Sequence, residues 1–211
     1  MSQQIYAAGG VVALALAGLI VSNFMRRWEA AGKWARRTAS ALGGAAYLAA
    51  VLWLDALTAI GVLTALTLLV ITLRLGFPRL VQGVKGSRAS QAWSEVTFAT
   101  AGTLSLAVGW WLLGDKWLGF LPVAFMAWGD NAAGIVRDIW KSVPWPLPSA
   151  AMLAVCLVAA TLVQPYWIGA VGAILATVGE RYRPHIPFWD DNLNLVTASL
   201  AAMSVLVGLV S

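Results

Sequence analysis

The sequence predicts an all-α, polytopic integral membrane helical bundle of about eight transmembrane helices, built as a single transmembrane domain over residues 1–211. Three observations carry this expectation. Apolar types make up 60% of the residues and charged types 11%, against roughly 25% charged in an average soluble domain. The apolar residues run in long blocks without the alternation of a half-buried strand. The charges fall in clusters separated by stretches of about 16 to 20 mostly uncharged residues, the length an α-helix needs to cross hydrocarbon.

The apolar stretches run over 6–24, 39–54, 56–73, 97–113, 117–136, 147–163, 167–179 and 192–210. No Lys or Arg precedes the first, and no small-x-small cleavage site follows its core, so it is expected to be a retained helix and not a signal peptide. The second and third are separated by little more than Asp55. As one helix they would extend roughly 52 Å, against about 30 Å of hydrocarbon, so a tight hairpin with Asp55 at its tip is expected. Merging them would leave seven spans and put the two largest basic clusters on opposite faces. With eight spans, 13 of the 14 basic residues share one side and only Lys116 lies opposite. The positive-inside rule makes that side cytoplasmic and leaves both termini non-cytoplasmic. Most of the 12 tryptophans, among them Trp28, Trp34, Trp53, Trp117 and Trp167, fall near span ends, where amphipathic rings settle at headgroup level.

A net charge of +5 would suit a nucleic-acid partner in a soluble protein. No basic soluble region interleaved with aromatics exists to form such a surface, so no nucleic acid is expected. One cysteine, Cys156, allows no intrachain disulfide. No GxxxxGK[ST] loop, GxSxG elbow or CxxC pair occurs, which leaves P-loop, serine-hydrolase and zinc chemistry without support.

Asp130 falls late in the stretch 117–136, where a carboxylate near mid-bilayer costs about 2.5 to 3.5 kcal/mol. Such a residue is a functional candidate by default. On a helix, Asp130, Gly134, Arg137 and Lys141 are spaced by 4, 3 and 4 and share a face. A carboxylate, a gap for close approach and two cations suit a metal-bound polyphosphate, with Asp holding Mg²⁺ and the cations neutralising phosphate oxygens. An Asp130–Arg137 pair near the interface, with Gly129 and Gly134 serving helix packing, accounts for the same spacing.

A second constellation lies after the seventh stretch: Glu180 closes a short helix, Asp190 and Asp191 precede the next, and Asn192 opens it. Asp191 or Asn192 suits helix capping. Three acids in one loop also suit divalent-cation binding and activation of a hydroxyl for attack on phosphorus. His185, the only histidine, stands between prolines and reads as a loop filler.

The segments Gly129-Asp130-Asn131-Ala132-Ala133-Gly134-Ile135-Val136-Arg137 and Glu180 followed by Asp190-Asp191-Asn192-Leu193 resemble the paired signatures of the CTP-dependent lipid and polyprenol kinases, the family of dolichol kinases, phytol kinases and CTP-using diacylglycerol kinases. Ser94-Glu95 before Thr97-Phe98 and Gly102 is similar to a further family segment, and Glu29 with Arg36-Arg37 and Gly44 weakly resembles its opening motif. Two positions depart from the pattern. Lys141-Ser142-Val143-Pro144-Trp145 replaces a longer Lys-Ser-x-Glu-Gly segment, as in the prokaryotic branch, and Ser40 stands where a histidine is usual.

The resemblance implies transfer of the γ-phosphate of CTP to the hydroxyl of a membrane lipid alcohol at the cytoplasmic face, with Mg²⁺. It makes Asp130, Asp190, Asp191 and Glu180 the catalytic carboxylates, with Asp130 and Asp191 as metal ligands. Gly129, Asn131, Gly134, Arg137, Lys141, Arg36, Arg37 and Asn192 would surround the nucleotide and its phosphates, and Glu95 is a further candidate. A cytidylyltransferase acting on a lipid phosphate, a transporter lined by the same charges and a non-catalytic scaffold are the alternatives.

Overall fold

The computed structural model describes residues 2–28, 32–84, 93–140, 142, 144, 146–181 and 190–210, and every regular element among them is helical. In chain order these are α1 (Ser2–Arg26), α2 (Gly32–Trp53), α3 (Ala56–Gly76), a 3-10 turn (Pro78–Val81), α4 (Ser94–Trp111), α5 (Lys116–Ala124), a π turn (Phe125–Gly129), α6 (Asp130–Ile139), α7 (Pro146–Ala160), α8 (Tyr166–Arg181) and α9 (Asp191–Val210). Each of the eight apolar stretches is therefore helical over most of its length, the fifth being made by α5, the π turn and α6.

Three helices, α1, α3 and α9, are long and apolar enough to cross a membrane, and in each no more than 22% of the most apolar window is buried. Their uncovered apolar faces suit hydrocarbon. The count of eight crossings is not reached by length and composition. α7 and α8 have 15 and 16 residues, roughly 22 to 24 Å at 1.5 Å per residue, and α2 carries Arg36 and Arg37 within its first two turns while α4 opens on Ser94 and Glu95.

The chain divides into two compact units. The first comprises Met1–Leu104 and His185–Asp190. In it α1 and α2 pack closely, because a Cβ on Gly18 would lie only 3.3 Å from Leu42 Cβ and 3.4 Å from the Ala39 carbonyl oxygen. The hairpin predicted at Asp55 forms: its carboxylate accepts the Thr58 N–H and the Thr58 hydroxyl, both at 2.9 Å, and caps α3. Those two bonds, the backbone one first, hold the Asp55 carboxyl below its usual range. A polar seam ties α2, α3 and α4 together. The Tyr47 hydroxyl donates to the Ala99 carbonyl at 2.8 Å and meets Thr103 Oγ1 at 3.1 Å, which in turn lies 3.1 Å from Thr67 Oγ1. Gly102 is required there, since a Cβ would stand 2.7 Å from the Tyr47 ring. The 3-10 turn docks on the end of α1 through Asn23, which accepts the Gly83 N–H at 2.8 Å and donates to the Leu80 carbonyl.

The second unit comprises Ser105–Pro184 and Asp191–Ser211. Its core holds Phe120, Leu121, Phe125, Met126, Met152, Ile168, Leu195 and Met203, all with almost no exposed surface. The end of α4 crosses α5 at Gly109 and Gly119, so closely that a Cβ on Gly109 would fall 2.4 Å from Gly119 Cα. Ser105 completes that crossing by donating to the Gly119 carbonyl at 2.7 Å. α7 packs against the π turn, α6 and α8, and α8 lies along α9. Small residues permit the last contact: Gly172 faces Met203 and Gly179 faces the Asn194 carbonyl.

Candidate functional site

The candidate site grows from a backbone irregularity. Pro122 lies inside α5 and has no N–H for the carbonyl one turn back. Three residues on, the Phe125 N–H is shared between the Leu121 and Pro122 carbonyls, and the Asp130 N–H bonds the Phe125 carbonyl five residues back. This π turn inserts an extra residue and rotates the next helix by roughly 100°. Asp130 opens α6 at that point, so the π turn decides the direction in which its carboxylate projects.

Asp130 and Arg137, two turns apart on α6, share a face as the spacing predicts and form an ion pair, Arg137 Nη2 to Asp130 Oδ1 at 3.4 Å. The same guanidinium also reaches α8, where Nη1 donates to Glu180 Oε1 at 2.9 Å. Arg137 thus joins two of the predicted carboxylates, one from each sequence signature. Their exposures differ: the side chain of Glu180 is 5% exposed, that of Asp130 27% and that of Arg137 39%. The anchor is inside the protein, and the outer half of the triad is open.

In the same unit Asn131 is half-buried on α6 and Gly134 is buried. Asp191 is half-buried and Asn192 buried in the first turn of α9. Gly129 is used by packing: a Cβ there would fall 2.5 Å from Cys156 Sγ and 3.4 Å from Met152 Cγ on α7. α6 ends at Ile139, and Trp140 is extended with φ −116° and ψ 96°. Lys141 itself, like Glu29 and His185, lies outside the described residues.

Asp190 belongs to the first unit. It is 4% exposed, and its Oδ2 accepts a 2.6 Å hydrogen bond from Thr97 Oγ1 in α4. Glu95, in the first turn of α4, is 7% exposed and pairs with Arg74 of α3 at 3.3 Å, and the Arg74 guanidinium lies 5.2 Å from the centre of the Trp93 ring. Arg36 and Arg37 are half-buried on α2 in this unit.

Thr97 appears in a family-like segment and Arg74 in a basic cluster, but neither has a role at the site that is legible in the sequence. Arg74 reads in sequence as one of the topology-setting cations, and only the pairing of α3 with α4 gives it a buried carboxylate. The π turn had a faint signal, a proline and then a glycine inside an otherwise apolar run, Pro122 to Gly129.

Among the described residues no three His, Cys, Asp or Glu side chains gather closely enough to hold a metal ion. Mg²⁺ that travels with a nucleotide is held differently, by one or two carboxylates plus phosphate oxygens and water. The partly exposed, hard-oxygen carboxylate of Asp130 suits that kind of binding. Comparison of the chain with protein-family models, with curated proteins and with solved structures returns no match.

Proposed function

We propose that the protein is a membrane-embedded phosphotransferase that moves the γ-phosphate of CTP to the hydroxyl of a lipid alcohol of the polyprenol, dolichol, phytol or geranylgeraniol type. The observation that carries this reading is the Asp130–Arg137–Glu180 triad. A cation and an open carboxylate on a short helix are what a metal-bound polyphosphate requires, and a buried acid keeps the cation in place. The resemblance of the two signature segments to CTP-dependent lipid kinases supplies the donor and the acceptor class.

In this reading Asp130 holds the Mg²⁺ that arrives with the nucleotide, and the ion supplies charge neutralisation of the phosphates. Arg137 binds phosphate oxygens through N–H groups turned away from Glu180. Asp191, in the first turn of α9 in the same unit, takes the proton of the attacking hydroxyl. The lipid oxygen forms a bond to the γ-phosphorus, the bond from that phosphorus to the bridging oxygen breaks, and CDP leaves. All eight helical stretches cross or enter the bilayer, the basic clusters and the site face the cytoplasm, and both termini lie on the far side. Lipid tails then stay among helices while the hydroxyl meets a water-soluble nucleotide at the interface.

The test is turnover of a panel of prenols and diacylglycerol with CTP and with ATP, using purified protein. Asp130→Asn is expected to lower transfer at least about a hundredfold, the scale for losing a group that stabilises developing charge; undiminished turnover rejects the assignment. Release of CDP marks a kinase, whereas release of pyrophosphate marks a cytidylyltransferase.

A further inference from the structure

We propose that Arg137 is an exchangeable counter-ion: without nucleotide it neutralises Asp130, and when a cation-bearing polyphosphate binds it leaves Asp130 for phosphate while Glu180 retains it. The inference rests on the functional reading above and adds a regulation of the same site.

Three features of the triad carry it. The two ion pairs are unequal, 2.9 Å to Glu180 against 3.4 Å to Asp130. The tighter partner is also the buried one, at 5% exposure against 27%, and a carboxylate inside the protein holds its cation more strongly than one shared with water. The partners sit on different elements, Asp130 on the same helix as Arg137 and Glu180 on α8. The weaker pair therefore separates by side-chain rotation within α6, with the bond to α8 undisturbed. The guanidinium uses one N–H of Nη1 for Glu180 and one of Nη2 for Asp130, and each nitrogen carries a second N–H that phosphate oxygens can take.

The consequence is that Asp130 is masked until its ligand arrives. A free divalent cation must compete with Arg137 for the carboxylate, whereas a cation carried on a polyphosphate brings the anion that draws Arg137 away. Glu180 is then a positioning residue: it keeps the guanidinium at the site after the exchange.

Mn²⁺, standing in for Mg²⁺, measures this directly when titrated without nucleotide against full-length protein and followed by the electron-spin signal of the free ion. Arg137→Gln is expected to raise Mn²⁺ affinity about tenfold, the scale for removing a unit charge a few ångströms away, and adding Asp130→Asn is expected to abolish the gain. Arg137→Lys keeps the unit charge beside both acids, so it is expected to leave Mn²⁺ affinity near the wild-type value, which ties the gain in the first variant to the lost charge. Mn²⁺ affinity equal to wild type in Arg137→Gln, or a gain of the same size in Arg137→Lys, overturns the exchange. A gain that persists with Asp130→Asn overturns it as well. A wild-type protein that phosphorylates no alcohol, beside an Arg137→Gln variant that does gain Mn²⁺ affinity, rejects the kinase reading and leaves the exchange standing.

Discussion

Gly129 shows how a single side chain, or its absence, sets the position of the candidate site. It stands one residue before Asp130, at the end of the π turn, with Cys156 and Met152 of α7 filling the space where a Cβ would be. Gly129→Ala is expected to cost about 1 to 3 kcal/mol, as overpacking does in a filled interior. Combining it with Cys156→Ala, which removes the Sγ at 2.5 Å, is expected to restore part of that loss in a detergent denaturation series. If the single variant is neutral, α7 does not brace the turn. At the same scale, the serine and threonine hydroxyls inside the helices have uses that charge patterning omits: Thr97 holds Asp190, and Thr67 and Thr103 help join three helices. Their partners lie 36 and 93 residues away in sequence, so no local pattern announces them.

Among the elements, α3 illustrates what local sequence does specify. Asp is a residue type that caps helices without any tertiary contact, and the Asp55 carboxylate, at the tip where the hairpin is expected, accepts the Thr58 N–H and caps α3. Because the folded carboxyl titrates below the ordinary aspartate value, the stabilisation is fully present above that ordinary value and fades as pH falls through the lower folded one. Asp55→Ala is therefore expected to lower thermal stability at neutral pH, and the difference from wild type is expected to shrink in acid. A difference that is independent of pH would show that the carboxylate charge is not what caps α3. The continuous run from Lys116 to Ile139 is the contrary case. Its apolar content reads as one uniform helix, but Pro122 and the packing of α7 divide it at the π turn.

At the scale of the whole molecule, the prediction concerns orientation. Cys156 is the only cysteine and is buried, so a Cys156→Ala background admits single reporters. Gln3→Cys and Lys116→Cys are expected to react with a membrane-impermeant maleimide added outside intact cells, and Trp28→Cys only after permeabilisation. Labelling of all three from one side would remove the eight-crossing arrangement. Helices and their approximate limits were legible throughout, because the apolar stretches are long and uncharged over the lengths that helices occupy. The capacity to cross hydrocarbon was less so: only α1, α3 and α9 among the described helices meet the length and apolarity criteria, since short helices and those opening on charges depend on their neighbours for cover.

The sequence by itself determined the helical class, the hairpin at Asp55 and the face shared by Asp130 and Arg137, because each comes from composition or from spacing within one turn or two. Only the tertiary structure decided that Arg137 reaches Glu180, that Gly129 is taken up by α7, that Asp190 bonds Thr97 and that α6 stops at Ile139. The physical reason is range. Helix periodicity acts over a few residues and is written in the chain, whereas an ion pair spanning 43 positions exists only once packed helices have brought its two ends together.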